Sequence, residues 1–192
     1  MFLTISAPTA EAFTLLPWEQ AEVPVAEWRP EAGDVFIADT LNNFGYLVHK
    51  DEGYTSFRIV TGQKRTVHYI GRTYNAKTPN RHWTAMTKEV KGDRTTFGKR
   101  GIFYRLFTGD ERVFDNRSPY GIHSHKSAAQ MISEDDRYRS MGCIILSDEM
   151  LDLIDATYYA NAEALTVITV SGFEAPVNYA TLTEVVAKNT QI

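Results

Sequence analysis

The residues best suited to chemistry lie in one stretch of the chain, between positions 120 and 146. Cys143 is the only cysteine, and two of the five histidines, His123 and His125, precede it in this stretch. A thiol attacks a carbonyl carbon as the thiolate, and a neighbouring imidazole can take the proton. The stretch therefore indicates nucleophilic catalysis, with acyl transfer through a thioester.

Two other interpretations of these residues stay open at the level of the sequence. Cysteine is often simply a small buried hydrophobic residue, and Cys143 directly precedes the apolar triplet Ile144–Leu146. A His-x-His pair with a cysteine also has the ligand types of a catalytic zinc site, with Cys143 or Asp115 as third protein ligand. A structural zinc site needs four ligands and no second cysteine exists, so we expect no metal and no cofactor.

The residues just before the cysteine predict an unusual backbone. Gly142 can adopt conformations that other residues avoid, which allows a tight turn directly before the nucleophile. Such a turn would aim the amides of Met141, Gly142 and Cys143 at one point, where they would stabilise a developing oxyanion.

Length and composition limit the classes of protein. The 192 residues carry a formal charge of -4, and 23% of them are charged, which is ordinary for one globular domain. We expect no nucleic-acid partner, because no basic run is present. No apolar run approaches the roughly 20 residues that a membrane-spanning helix needs, and no signal peptide is visible at the start.

Hydrophobic alternation and turn residues predict mostly strands. The predicted strands lie near 34–38, 46–49, 54–60, 66–70, 96–107 and 166–170, with a solvated turn at 88–94. Helices are predicted from about Ser127 to Asp135 and from Ser147 to near Asn161. The fold class is therefore mainly β (α+β), a β-sandwich or open barrel with one packed C-terminal helix and a short helix near Cys143.

The first residues differ in composition from the rest. Prolines interrupt residues 1–33, while Trp18 and Trp28 supply large apolar anchors. We predict an N-terminal appendage at 1–33, packed on a catalytic domain at 34–192.

The stretch Ser140-x-Gly142-Cys143-Ile144-x-Leu146, downstream of Tyr120-Gly121-Ile122-His123, resembles the active-site signature of the YkuD-type L,D-transpeptidases. The resemblance covers residues 119–154 closely and 34–107 loosely. The phrases Ile59–Gly62 and Thr78-Pro79 are similar to further phrases of this family. The residues after Pro79 depart from the family pattern, and Thr78 receives no role. Met141 and Ile145 stand where the family often has histidine and arginine or asparagine.

The resemblance implies roles for individual residues. Cys143 would be the nucleophile, His123 the general base, and the backbone carbonyl of Ser124 would orient the His123 ring. The family places an oxyanion hole at Met141, Gly142 and Cys143. We expect the substrate-binding surface to include Tyr120, Gly121, His125, Ser140 and Arg139.

The resemblance also implies a reaction and a location. Cys143 would attack the L-to-D peptide bond of a peptidoglycan tetrapeptide stem, release D-alanine and pass the acyl group to an amine. Two alternatives are an L,D-carboxypeptidase, in which water accepts the acyl group, and a catalytically silent wall-binding domain. We expect carbapenem-type inhibitors to bind, and a location in the cell envelope, either periplasm or cell wall.

Overall fold

A computed structural model describes residues 22–50, 53–69, 71–109 and 116–173. Within them the chain forms a short 3-10 turn, two α-helices and twelve strands. The helices are α1 (Ala128–Ser133) and α2 (Asp148–Ala160). The strands are β1 (Val35–Asp39), β2 (Phe44–Val48), β3 (Tyr54–Arg58), β4 (Thr61–Gly62), β5 (Thr66–Tyr69), β6 (Arg72–Asn75), β7 (Arg81–Val90), β8 (Ile102–Phe107), β9 (Arg117–Ser124), β10 (Tyr138–Ser140), β11 (Ile144–Leu146) and β12 (Leu165–Val170).

Eight strands form one curled mixed sheet in the order β11-β9-β8-β7-β12-β1-β2-β3. The pairs β1–β12 and β9–β11 are parallel, and the other neighbours are antiparallel. Strands β4 and β10 form a small parallel pair, and β5 and β6 form a separate hairpin. The predicted fold class, mainly β with few helices, is confirmed.

One face of the large sheet forms the main hydrophobic core, and α2 covers it. Alternate side chains of the strands point to this face and are buried there, including Phe36, Leu47, Trp83, Tyr104, Ile122 and Ile144. The apolar stripe of α2 packs against them with Leu151, Ile154 and Tyr158. The helix begins as the sequence predicts, because Ser147 Oγ accepts the N–H of Met150 at 3.2 Å. Strand β11, which follows Cys143, is thus fixed against the core.

The opposite face of β11 carries α1. Ile145 packs in a small buried cluster with Val60 and Ala128, and Met131 and Ile132 of α1 lie against it. The helix is shorter than predicted, since it starts at Ala128 and ends at Ser133. The short predicted helix therefore lies on the sheet face that includes Ile145, close to Cys143.

The longest strand, β7, was not predicted, and the predicted turn at 88–94 is wrong over its first residues. Lys88, Glu89 and Val90 continue the strand and pair with Tyr104, Phe103 and Ile102. Charged residues suggest a solvated turn, but here both charges have partners on other elements: Lys88 Nζ lies 2.6 Å from Asp155 of α2, and Glu89 pairs with Arg105 of β8.

The predicted strand at 96–107 begins only at Ile102, because turns occupy 94–100. Gly98 and Gly101 adopt φ values of +69° and +67°, which favour glycine. A Cβ on Gly98 would lie 2.7 Å from the Cβ of Ser124, so this loop packs tightly against the end of β9.

Part of the predicted N-terminal appendage lies outside the described residues, including Trp18. In the described part, the N–H of Val23 donates to the carbonyl of Tyr54 at 2.7 Å. Trp28 is only 2% exposed, and its ring stacks on His49 with 3.8 Å between centroids. The boundary at residue 33 stays a prediction. No helix among the described residues is long and apolar enough to cross a membrane.

Candidate active site

Cys143 lies directly before β11, beside Gly121 of the neighbouring strand β9. The parallel register pairs Ile144 with Ile122 and Ile145 with His123, which places Cys143 opposite Gly121. Cys143 itself precedes the strand, and continuing the strand alternation by one residue predicts that Cys143 and His123 share one face of the sheet. The same extrapolation predicts a separation of roughly 8 Å between their Cα atoms, from an offset of two residues and one strand spacing.

His123 is buried and held in one orientation. The side chain lies at 4% exposure, and Nδ1 contacts the carbonyl oxygen of Ser124 at 2.6 Å. Since a carbonyl only accepts, Nδ1 carries the proton and Nε2 is left as the basic nitrogen of the neutral ring. The rings of Phe97 and Phe103 enclose the imidazole at centroid distances of 5.1 and 5.7 Å.

Burial favours the neutral forms of both Cys143 and His123. It lowers the pKa of His123 to about 4, against the opposing effect of its hydrogen bond to the Ser124 carbonyl. Burial also raises the pKa of the Cys143 thiol to about 11, although the Gly121 backbone and the charge of Arg105 act in the other direction. At neutral pH the resting site therefore holds a thiol and a neutral imidazole rather than an ion pair.

His125 lies just beyond the end of β9, in the turn that leads to α1. Its Nδ1 accepts the backbone N–H of Ser127 at 3.0 Å, so the ring proton is on Nε2. Burial lowers the pKa of His125, and the charge of Asp93 opposes this shift. In this tautomer Nδ1 is the only ring nitrogen of His125 that can accept a proton. It already accepts the N–H of Ser127, which holds the turn.

The turn before Cys143 requires glycine. Gly142 has a φ of +115°, and a Cβ there would lie 2.5 Å from the Tyr120 ring. Ser140 closes the turn, because its Oγ accepts the N–H of Gly142 at 3.1 Å and donates to the carbonyl of Cys143 at 2.6 Å. Ser140 thus stabilises the turn before Cys143 through two hydrogen bonds of its own hydroxyl.

The backbone amides of this turn are not equivalent. The N–H of Gly142 is engaged by Ser140 Oγ. Within the residues that the structure describes, the amides of Met141 and Cys143 have no hydrogen-bond acceptor. The oxyanion hole at 141–143 stays a prediction, and its available donors are Met141 and Cys143.

The predicted substrate-binding residues occupy different positions around the turn that precedes Cys143. Tyr120 packs against Gly142 and meets Trp83 edge-on at 5.9 Å. Gly121 leaves room for the Phe103 ring, which a Cβ would approach to 2.3 Å. Arg139 pairs with Glu134 at the end of α1, so its charge is already partly compensated. Their role in substrate binding stays a prediction.

Thr78 contacts the turn in a way that sequence reasoning missed. Its Oγ1 accepts the N–H of Gly62 at 2.8 Å and donates to the carbonyl of Gly142 at 3.0 Å. The Tyr74 hydroxyl donates to the carbonyl of the preceding residue, Met141, at 3.2 Å. The Thr78-Pro79 phrase was the available signal, but the sequence does not show which residues the hydroxyl would reach.

A half-buried ion-pair cluster lies beside the site on β7 and β8. Arg105 binds Glu89 through two nitrogens, with Nη2 at 3.1 Å from Oε2, and donates from Nη1 to the Ser118 carbonyl at 2.8 Å. The Arg105 hydrogen bond, helped by Lys91, lowers the pKa of Glu89 to about 2. The partners of Arg105 depend on strand β7, which was not predicted from the sequence.

The described ranges contain no group of three or more His, Cys, Asp or Glu side chains that could hold a metal ion. Asp115, the alternative third ligand, lies outside them. The predicted absence of a metal stays a prediction.

Comparisons with known proteins identify the family. The sequence profile of the YkuD L,D-transpeptidase catalytic domain matches residues 33–170. A comparison with curated proteins gave no match.

Several solved structures are similar to this chain. They include an L,D-transpeptidase from Xylanimonas cellulosilytica (18% identity, 76% of this chain and 66% of that one, TM-score 0.48). A mutant of the helical cell shape determining protein Pgp2 from Campylobacter jejuni has 15% identity over 83% of this chain and 54% of that one, with a TM-score of 0.47. Bd1075 from Bdellovibrio bacteriovorus has 14% identity over 92% of this chain and 59% of that one, with a TM-score of 0.48. The chain thus spans between 54% and 66% of these structures. On the profile match, this chain belongs to the YkuD family of L,D-transpeptidase catalytic domains.

Proposed function

We propose that this protein is a cysteine-dependent L,D-transpeptidase that acts on peptidoglycan stem peptides in the cell envelope. The observation that carries the proposal is the parallel register of β11 and β9 within a YkuD domain, because its extension by one residue brings Cys143 beside Gly121, on the predicted face of His123. The buried imidazole has its Nδ1 committed to a backbone carbonyl, which leaves Nε2 to accept a proton.

In the first half-reaction, the Cys143 thiol attacks the carbonyl carbon of the L-to-D peptide bond. The thiol proton passes to His123 Nε2 as the S–C bond forms, because neither group is charged in the resting site. The backbone amides of Met141 and Cys143 bind the resulting oxyanion. The intermediate collapses, the C–N bond breaks, and the amine of D-alanine leaves with the proton from His123.

In the second half-reaction, an amine of another stem attacks the thioester. His123 takes a proton from this amine and returns it to the sulfur when the S–C bond breaks. The products are a cross-linked stem and the regenerated thiol. Water in place of the amine gives the L,D-carboxypeptidase outcome, so the acceptor's access to the thioester decides between the two.

The third candidate, a silent wall-binding domain, is less well supported because the nucleophile and an oriented histidine are both present. Carbapenem-type β-lactams are the proposed inhibitors, since their strained ring presents a carbonyl to the same thiol.

The test uses a disaccharide tetrapeptide with and without an amine-bearing acceptor stem, with products separated by mass. A cross-linked product supports the transpeptidase, and a tripeptide alone supports the carboxypeptidase. Treatment with a chelator is included, and we expect it to leave turnover unchanged. If the folded protein forms neither product, the proposed function is wrong.

A further inference from the structure

Two short stretches that are distant in the sequence meet at the turn before Cys143. Gly62 ends β4, and Thr78 follows the β5–β6 hairpin. A Cβ on Gly62 would lie 1.9 Å from the Ala76 carbonyl and 2.5 Å from the Thr78 nitrogen, so only glycine allows this approach. The close contact delivers the N–H of Gly62 to Thr78 Oγ1 at 2.8 Å.

The hydrogen bond from Gly62 fixes the direction of the Thr78 hydroxyl. Thr78 is 2% exposed, and its oxygen accepts from Gly62 while the Gly142 carbonyl lies 3.0 Å away. A carbonyl cannot donate, so the hydroxyl hydrogen points to the Gly142 oxygen. Thr78 is therefore a directed link between β4 and the carbonyl of Gly142.

This link also determines where the amide of Cys143 points. The carbonyl of Gly142 and the N–H of Cys143 belong to one planar trans peptide, in which they point in opposite directions. Holding the carbonyl towards Thr78 thus turns the N–H of Cys143 away from Thr78. That N–H is one of the two turn amides that have no acceptor within the described ranges.

The peptide needs such a restraint because glycine gives it freedom to rotate. Gly142 has a φ of +115° and no side chain to limit its ψ. The peptide group between Met141 and Gly142 is held at both ends. Tyr74 donates to the Met141 carbonyl, and Ser140 Oγ accepts the Gly142 N–H. Thr78 is the corresponding restraint for the peptide that leads into the nucleophile.

We propose that Thr78 is a positioning residue that orients the Cys143 amide as an oxyanion donor. The inference rests on the proposed cysteine chemistry, but it does not depend on which peptide is the substrate. Losing one oxyanion donor costs about 10²–10³ in rate in a well-studied protease, which sets the expected effect.

The experiment compares Thr78→Val, which keeps the shape but removes the hydroxyl, with Thr78→Ser, which keeps the hydroxyl. The matched control is Thr55→Val on β3, a fully buried threonine whose Oγ1 has no hydrogen-bond partner in the described structure. Thermal unfolding of all three variants checks that each one is folded.

Two reagents then separate positioning from simple disruption. Acylation of Cys143 by p-nitrophenyl acetate passes through an oxyanion, whereas alkylation by iodoacetamide displaces iodide without one. Cys143→Ala supplies the background for both. We expect Thr78→Val to lose about 10²–10³ in acylation rate with unchanged alkylation, and Thr78→Ser and Thr55→Val to behave like the wild type.

Wild-type acylation in Thr78→Val would overturn the proposal. An equal fall of acylation and alkylation would also overturn it, because that result means only that the thiol has moved. The ester tests Thr78 even if the tetrapeptide is not a substrate, so failure of the proposed function remains distinguishable from failure of this inference.

Discussion

At the scale of single residues, the site is built around two groups that burial keeps uncharged. The thiol of Cys143 has a raised pKa, and the imidazole of His123 a lowered one. Thiolate–imidazolium pairs, in contrast, hold a reactive thiolate at neutral pH. Here the raised pKa of the thiol limits side reactions of Cys143 at neutral pH.

The first prediction follows from the thiol pKa of about 11. Below its pKa, the thiolate fraction rises about tenfold per pH unit, and the alkylation rate follows it. We expect the rate of Cys143 modification by iodoacetamide to keep rising from pH 7 to pH 10. The measurement is mass spectrometry over time at each pH. A plateau that begins near pH 6 would show a preformed ion pair instead.

The second prediction distinguishes the two histidines. His123→Ala should lose about 10²–10⁴ in acylation rate, because a positioned base contributes that much. His125→Ala should lose far less, since its Nδ1 holds the turn at Ser127. In the wild type, acylation should fall as the pH drops through about 4, where His123 becomes protonated and can no longer accept. Single-turnover acylation of the wild type and both variants, measured across pH, tests these three expectations. A dead His125→Ala with an active His123→Ala would reverse the assignment.

At the scale of elements, strand β7 and its ion pairs support the strands of the site. Glu89 receives Arg105 and Arg117 from β8 and β9, and Lys91 lies beside it. One carboxylate thus joins three neighbouring strands on the face that carries His123.

The third prediction concerns this carboxylate. Its pKa falls from 4.5 to about 2 on folding, so the folded state gains up to about 3 kcal/mol that is fully present above pH 4.5. The gain is lost as the pH falls towards 2, because both states then bind the proton. Glu89→Gln should be less stable than the wild type at pH 7, and the difference should shrink at pH 3. Urea unfolding at both pH values measures it, and an equal difference at both would contradict the linkage.

Much of this level could be predicted from local sequence. The Ser147 cap and the apolar stripe of α2 are local signals, and both are confirmed. Strand β7 was missed because Lys88 and Glu89 suggest solvent, whereas their partners Asp155 and Arg105 come from distant elements. Thr78 has the same limitation, since its role depends on a carbonyl 64 positions away.

At the scale of the whole molecule, the two faces of the large sheet have different surroundings. One face packs with α2 into the main core, and the opposite face carries His123. The alternation of β9 shows this directly, because Ile122 enters the core while Gly121 and His123 face the site. Sequence alternation predicts such a division, but only the parallel register with β11 brings Cys143 beside Gly121.

The fourth prediction concerns the segment before β1. Trp28 is buried against His49, so Trp28→Ala should reduce the free energy of unfolding by about 3–5 kcal/mol. Within the described residues, neither the ring contact of Trp28 nor its backbone hydrogen bonds reach the turn at 140–143, so the alkylation rate of Cys143 should stay unchanged in the folded variant. Thermal and urea unfolding measure the loss. A loss below about 1 kcal/mol would show that the segment is not an integral part of the domain.

The most direct test of the central claim is the mass of the enzyme during turnover. The protein is mixed with a tetrapeptide stem, quenched in acid and digested, and the peptide that contains Cys143 is weighed. The account predicts a thioester adduct equal to the stem minus D-alanine on this peptide, and neither adduct nor D-alanine release in Cys143→Ala. Release of D-alanine at the wild-type rate by Cys143→Ala would contradict the account.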